Sequence, residues 1–368
     1  MKIALDISSA ARPQFTGVAM YIRRLTAAFA RVGGAHQFTL VTRASRPKNL
    51  FHSPPLPAPN FSRKLMLEGL HPFFSRSIDV FHGLDARLPG RWLKAPTVVT
   101  IHDIFSVLQS TQFAPPEFRQ MKTKRYQELM KRADRIICVS NAVKRDVLET
   151  LRPEPAKLRV IYEAAGELFY PRAPEETRAV GAKHGLRAPY FMLVGSLNKR
   201  KNVPAQIQAF ALARQKTGGN TMLAVAGRAG FGGAEIRAAV EKSAAAEFVK
   251  FLGYVPEEEM PALLSGARAL LFATLYEGFG IPAVEAFACG CPVLGAAVGA
   301  LPEVIGDAGL LADPASTEAI AAQIERLMAD EALWSACRTK GFQRAKLFSW
   351  EKAAAECLAI YQDLRLEK

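Results

Sequence analysis

Two glutamates, Glu277 and Glu285, bracket the stretch of this chain best suited to chemistry, and Gly278, Phe279, Gly280 and Ile281 lie between them. Glycines let a backbone approach a ligand closely. Pro282 suits the first position of a helix, where no backbone donor is needed, so the free N–H groups of that first turn would favour an anion such as a phosphate. A carboxylate beside a phosphate is repelled and needs its own reason to be there. Its two acceptor oxygens suit adjacent hydroxyls, as on a ribose or a sugar ring. Glu277 precedes the helix, and Glu285 lies roughly 6 Å along it from Ile281 at ~1.5 Å per residue. One ligand with a sugar at each end of a pyrophosphate, a nucleotide sugar, would satisfy both. The alternative is an ordinary strand-to-helix turn carrying two solvated glutamates.

Three further groups could share the work. Asn198 to Asn202 reads Asn-Lys-Arg-Lys-Asn after an apolar run. Cations at a strand's carboxyl end suit a diphosphate, although such runs are more often solvated faces. His102 follows the apolar stretch Thr97 to Ile101 and could donate to a hydroxyl or carbonyl, or simply cap the strand. Gly17 opens an amphipathic helix with Val18, Ile22, Leu25 and Phe29 at helical spacing, which makes a second anion-accepting N-terminus or a plain helix start. His82-Gly83 repeats the histidine argument more weakly. Ser140 reads as a helix cap. Gly227 to Gly233 departs from a dinucleotide fingerprint, with Arg228 the one residue there to note.

These residues need a scaffold that brings strand ends together. Strand-like runs at Lys2 to Ile7, Gln37 to Thr42, Asp79 to Leu84, Thr97 to Asp103, Arg135 to Ser140 and Leu158 to Tyr162 alternate with helical stretches. The scheme repeats at Tyr190 to Ser196, Thr221 to Gly227, Val249 to Val255, Ala269 to Thr274 and Pro292 to Ala296. Alternation of this kind predicts an α/β fold with parallel sheets. The expected organisation is two doubly wound, Rossmann-like domains facing each other across a cleft, with ligands at the strands' carboxyl ends. The Pro-, Ala- and Glu-rich stretch Ala164 to Pro189 reads as the linker, which divides the chain into residues 1–170 and 171–350.

The stretch from Glu277 to Glu285 resembles the E-x7-E signature of retaining glycosyltransferases of the GT4 type. The likeness continues through Ala286-Phe287-Ala288-Cys289-Gly290-Cys291-Pro292-Val293, Leu301-Pro302-Glu303-Val304-Ile305 and Gly309 to Leu311. It implies the GT-B fold. Phe348-Ser349-Trp350 resembles the family's turn before a final helix, here 351–368, that returns to the first domain. Among site residues it implies that Glu277 and the Phe279-Gly280 backbone hold the transferred sugar and Glu285 the ribose. Arg200 and Lys201, with the helix end at Ile281, would neutralise the departing diphosphate. His102 and the Gly17 loop would act from the first domain. Two positions depart from the family pattern: Ser196 stands where many members carry an arginine, and Gly17-Val18 stands where two glycines are frequent. The acceptor would attack on the face the leaving group departs from, with no enzymic nucleophile, and the chain has no Asp-x-Asp cation motif, so no metal or other cofactor is expected. The openings around Arg12 to Tyr21 and Gly195 to Asn202 look most like bacterial mannosyltransferases of surface polysaccharide. GDP-mannose is therefore the expected donor, a UDP-sugar the alternative, and a lipid-linked or lipopolysaccharide glycan the expected acceptor.

Composition bounds the remainder. The 368 residues carry a net charge of +14. Up to Arg172 there are 27 basic and 13 acidic side chains, and from Ala173 onward 21 of each. The whole excess lies in the first half, which points to an anionic partner there. No apolar run approaches the roughly 20 residues of a membrane span. The start of the chain does not read as a signal peptide, and the five scattered cysteines read as reduced thiols. These features suggest a cytoplasmic enzyme, peripheral on the inner membrane face. Asn60 to Ser77 mixes Leu65, Met66, Leu67, Leu70, Phe73 and Phe74 with Arg63, Lys64 and Arg76, and suits either a membrane interface or a helix packed on the first sheet. The basic helix with Arg119, Lys122, Lys124, Arg125, Lys131 and Arg132 favours an anionic surface. A non-catalytic binder of such a surface or of nucleic acid is the reading from another class. It lacks the aromatic residues interleaved with cations that stacking on bases needs, so no nucleic acid is expected.

Overall fold

Runs such as Thr-Val-Val-Thr-Ile and Tyr-Phe-Met-Leu-Val are apolar or β-branched at nearly every position, as strands covered on both faces must be. Both are buried along almost all their length. The computed structural model describes residues 1–10, 16–44, 55–66, 77–90, 93–108, 115–186, 189–228, 233–241 and 246–367. The chain divides into two compact units, one formed by Met1–Glu163 with Ser349–Lys368 and the other by Ala164–Phe348.

The first unit holds seven parallel strands: β1 (Lys2–Asp6), β2 (Gln37–Arg43), β3 (Phe61–Met66), β4 (Val80–Gly83), β5 (Thr97–Ile101), β6 (Arg135–Cys138) and β7 (Leu158–Val160). Their order is β3-β2-β1-β4-β5-β6-β7. The chain winds outward from β1 to one edge, returns beside β1 with β4, and winds to the other edge. The switch point lies between β1 and β4, and ligand sites in open sheets form outside the strand ends at such a point. Helix α1 (Gly17–Val32) starts at Thr16, whose hydroxyl accepts from the Ala19 N–H. Helices α2 (Pro116–Arg132) and α3 (Asn141–Leu151) follow.

The second unit repeats the plan with β8 (Tyr190–Val194), β9 (Met222–Ala226), β10 (Val249–Gly253), β11 (Ala269–Phe272), β12 (Val293–Ala296) and β13 (Leu310–Ala312). They are all parallel, in the order β10-β9-β8-β11-β12-β13. The switch point here is between β8 and β11, paired at Leu270 with Met192. Period-two alternation builds two cores on the two faces. Met192, Leu270 and Phe272 enter one, while Phe191, Leu193 and Leu271 enter the other. The helices are α4 (Pro174–Lys183), α5 (Val203–Thr217), α6 (Gly233–Glu241), α7 (Met260–Gly266), α8 (Ile281–Ala288), α9 (Leu301–Ile305), α10 (Thr317–Ala329) and α11 (Glu331–Ala345). The last helix, α12 (Trp350–Leu366), is capped by Ser349 and lies in the first unit. There it packs on α1 through Tyr21–Trp350 and Phe29–Tyr361 ring contacts.

Two stretches differ in detail from the expectation. Ala164 to Pro189, read as the linker, carries helix α4 at its middle, with Pro174 at the helix start and Glu175 and Glu176 in the first turn. Those residue types favour a helix N-terminus as much as a loop. Phe61–Met66 is not a helix but the edge strand β3, in register with β2 from Phe38 to Arg43. Its exposed Arg63 and Lys64 suit an edge, where charge discourages further strand pairing. Residues 67–76 lie outside the described residues. Among the described residues no helix is long and apolar enough to cross a membrane.

Candidate functional site

The chemistry gathers where β8 and β11 end. After β8 the chain passes Gly195, and Asn198 caps a short turn, Lys199–Lys201, by accepting from the Lys201 N–H. After β11 the chain runs through Ala273 to Tyr276 into Glu277. Arg200 Nη1 donates to Glu277 Oε1 at 3.0 Å and to the Tyr276 carbonyl at 2.9 Å, and Lys201 Nζ donates to the same Glu277 oxygen at 2.7 Å. Glu277 is only 8% exposed and Lys201 9%, so the solvated-turn alternative fails for this glutamate. Burial pushes the Glu277 carboxyl upward, but the charges and hydrogen bonds of Lys201 and Arg200 outweigh it and hold the group below its ordinary value. Both cations converge on Oε1. Among the described residues no protein donor is bonded to Oε2.

The sequence reading found these three residues but missed what holds them. Asn202 sits in the left-handed region at φ 53°, where asparagine is tolerated better than most residues. Its amide donates to the Ala273 carbonyl at 3.1 Å and the Pro314 carbonyl at 2.8 Å. Gln206, 1% exposed, donates to the Lys201 carbonyl at 2.8 Å and accepts from the Ala273 N–H at 2.9 Å. The Leu275 N–H donates to the Arg200 carbonyl at 2.9 Å. The cation turn is thus laced to the segment entering Glu277. A polar Gln206 among Val203, Ile207 and Phe210 on the buried side of α5 was the readable signal for this, since a buried amide needs partners.

The glycines serve the protein itself as well. A Cβ on Gly195 would stand 3.1 Å from Lys201 Cε, so that position makes room for the lysine stem. Gly280, at φ 104°, would place a Cβ 2.7 Å from Leu301 Cδ2. The missing side chain of Gly280 thus also makes room for Leu301 at the neighbouring helix start. Phe279 is buried edge-on against Phe348 at 5.4 Å. Ile281 is half-buried at the start of α8, and Glu285 is buried within that helix. The structure brings Arg200, Lys201 and Glu277 into direct contact, and it places Gly278 and the α8 N-terminus directly after them in the chain. Arg228 lies over the Tyr254 ring at 4.4 Å.

In the first unit, His102 follows β5. Its Nδ1 lies 3.1 Å from Glu163 Oε1 and its Nε2 2.9 Å from the Leu84 carbonyl, and Tyr21 stands edge-on to the ring at 4.5 Å. Burial lowers the pKa, but the Glu163 hydrogen bond and charge, the Asp85 charge and the Leu84 carbonyl together raise it above the ordinary value. Both nitrogens face acceptors, an arrangement that favours the protonated form of the ring. His82 is the opposite case. It is fully buried, Nδ1 pairs with the Tyr361 hydroxyl and Nε2 with Thr100 Oγ1 at 2.8 Å. Burial, then the His102 charge, pushes its pKa to about 3. It is a neutral structural residue. Ser140 caps α3 by accepting from the Val143 N–H. Gly17 faces open space, with nothing within 4 Å of an added Cβ. Of the Arg12 to Tyr21 stretch, residues 11–15 lie outside the described residues.

Comparison with known proteins agrees with this layout. The family model described as Glycosyltransferase Family 4 matches residues 15–164, and that described as Glycosyl transferases group 1 matches residues 177–344. The O-antigen chain mannosyltransferase B of Escherichia coli is 31% identical over 284 residues, which span 77% of this chain and 74% of that one. Among solved structures, the sucrose-phosphate synthase of Thermosynechococcus elongatus superposes with a TM-score of 0.79 at 22% identity over the whole of both chains. HepE of Anabaena gives 0.76 at 19% identity, covering 98% of this chain and 99% of that one. The two doubly wound sheets are those of the GT-B fold, and the chain belongs to the group 1, family 4 glycosyltransferases.

Proposed function

We propose that this glycosyltransferase moves mannose from GDP-mannose, with retention at the anomeric carbon and without a metal, to a hydroxyl of a lipid-linked or cell-surface glycan of the O-antigen kind. The observation that carries the reading is the Arg200–Lys201–Glu277 cluster at the second unit's switch point. Two cations beside a helix N-terminus can take up the negative charge that develops on a departing diphosphate. They lie in place before the donor arrives, held by Asn202 and Gln206, so little reorganisation is needed. Glu277 Oε2 is available for a sugar hydroxyl, and Glu285 on α8 suits the ribose. In the first unit His102, fixed by Glu163, and the Gly17 helix start suit hydrogen bonding to a hydroxyl or an anion. Mannose and an O-antigen acceptor are supported by the E. coli relative. The basic excess of the first half favours a peripheral place at an anionic cytoplasmic membrane face.

The test is calorimetric titration of GDP-mannose, GDP, UDP-glucose and UDP in the presence of a chelator. Selective binding of the guanine ligands is expected. Binding of only the uridine ligands, or of none without a divalent ion, would overturn the donor assignment. Proton NMR of the transfer product reads the anomeric configuration, and an inverted product would refute retention. Sedimentation with anionic against neutral vesicles tests the membrane placement.

A further inference from the structure

A polar pocket lies within the first unit, and its chemistry differs from that of the Arg200–Lys201–Glu277 cluster. It encloses about 80 Å³ between the turn after β4 and helix α2, several times the roughly 10–15 Å³ that one water requires. Arg87, Lys122 and Arg125 bring three cations to it, Arg87 lying 3.9 Å from the carboxylate of Asp85, and Tyr126 adds a hydroxyl. Lys122 and Arg125 stand three apart on α2, where like charges on one face weaken a helix. Among the described residues neither has a carboxylate ion-pair partner. The turn is also strained. Ala86 holds φ 35°, a conformation that strains a residue with a side chain, fixed by its N–H on the Thr100 carbonyl at 2.9 Å. Only glycine fits at 83, where a Cβ would lie 1.8 Å from the Arg87 carbonyl oxygen. This strained turn sets Asp85 and Arg87 on the pocket wall, and Ser9 donates its hydroxyl to Asp85. Burial, then the Asp103 and Asp85 charges, push the Tyr126 phenol up to about 12, so it stays a hydrogen-bond donor.

The geometry points to a binding site for a sugar phosphate, with the phosphate on Lys122, Arg125 and Arg87 and a ring hydroxyl on Asp85. A bare anion fits less well, because Asp85 would repel it and Tyr126 would be left with a single role. A neutral sugar leaves Lys122 and Arg125 without a counter-charge, since Asp85 pairs with Arg87 at 3.9 Å. Resting on the glycosyltransferase reading, the ligand is the acceptor's phosphorylated end, either a soluble phosphosugar or a sugar joined to a lipid diphosphate.

The test uses the full chain carrying Arg200→Ala and Lys201→Ala, so that the second unit's cations do not contribute. Mannose 6-phosphate, mannose and inorganic phosphate are titrated calorimetrically. The phosphosugar is expected to bind more tightly than either fragment. Lys122→Ala and Arg125→Ala are each expected to weaken it about tenfold, Arg125→Lys less, with circular dichroism unchanged. Equal binding of mannose and mannose 6-phosphate, or no effect of Lys122→Ala together with Arg125→Ala, overturns the proposal. Should that pair fail to fold, Tyr126→Phe with a retained fold and unweakened phosphosugar binding has the same force. In the otherwise native chain the pocket variants should raise KM for a phosphate-bearing acceptor and leave the donor KM in place. Vesicles bearing a sugar diphosphate lipid, compared with the soluble phosphosugar, identify the source. A chain that binds mannose 6-phosphate through Lys122 and Arg125 but transfers no sugar would refute the proposed reaction while upholding this site.

Discussion

Lys201 is the residue on which most of the site's electrostatics turn. Its ammonium lies on Glu277 at 2.7 Å and over the Phe272 ring at 4.8 Å. Lys201→Ala should weaken nucleotide diphosphate binding by about 10- to 100-fold, the worth of one charged hydrogen bond, as read by calorimetry. It should also let the Glu277 carboxyl rise. In the native protein that carboxyl lies below its ordinary 4.5, so its contribution to stability is present above pH 4.5 and is lost as pH falls through the folded value. Lys201→Ala should shrink this loss in acid unfolding, and an unchanged acid limb would show that the pair is not coupled. His102 has the opposite sign. Its pKa lies above 6.5, so its contribution is full below pH 6.5 and fades as pH rises through the folded value. NMR titration of the ring should show this elevation, and Glu163→Gln should abolish it. An elevated value that survives the substitution would assign the cause elsewhere. Glu277, Arg200 and Lys201 were legible because charged residues directly after apolar runs stand out. Glu163 was not, because its partner lies 61 residues away and no local pattern joins them.

Between residues and fold stand the elements that set their geometry. Asn202 and Gln206 bind the turn after β8 to the segment after β11, so they should act on catalysis without touching substrate. Gln206→Leu keeps the bulk but leaves the Lys201 carbonyl and the Ala273 N–H unpaired, at a cost of about 1–3 kcal/mol each if they stay buried. The expected outcome is a lower Tm and a loss in kcat greater than any change in donor KM. Asn202→Gly keeps the backbone conformation and removes only the side-chain staples, which separates them from strain. If Asn202→Gly had native kcat, the staples would not position the cations. Period-two and period-3.6 patterns gave most strands and helices here, including β11 and α8. They failed at β3, whose Arg63, Lys64 and Leu65 are exposed on an edge, and at β13, only three residues long. In both, pairing with a neighbour outweighs local preference, and pairing is not written in the strand itself. α4 was missed for a different reason, since Pro174 and its glutamates serve a helix start as well as a loop.

At the scale of the molecule, the first unit is completed from the far end of the chain. Tyr361 bonds His82 in the buried core, Arg31 pairs with Glu351 at 2.6 Å, and Trp350 packs on Tyr21. Tyr361→Phe leaves a ring nitrogen of His82 without its partner and should cost about 1–3 kcal/mol. Differential scanning calorimetry should place that loss in the transition of the first unit, and an unshifted transition would mean His82 finds another partner. The alternation of strands with helices made the two sheets readable. What joins Tyr361 to His82 was not, because 279 residues separate them.

That arrangement reverses the usual order of events at the ribosome. Domains generally fold as they emerge, the N-terminal one first. Here every element of Ala164–Phe348 has been made before α12 exists, so the second unit can close while the first, begun earlier, still waits with the α1 face that α12 covers exposed. On that order the first unit keeps the face that α12 covers exposed through the whole synthesis of the second.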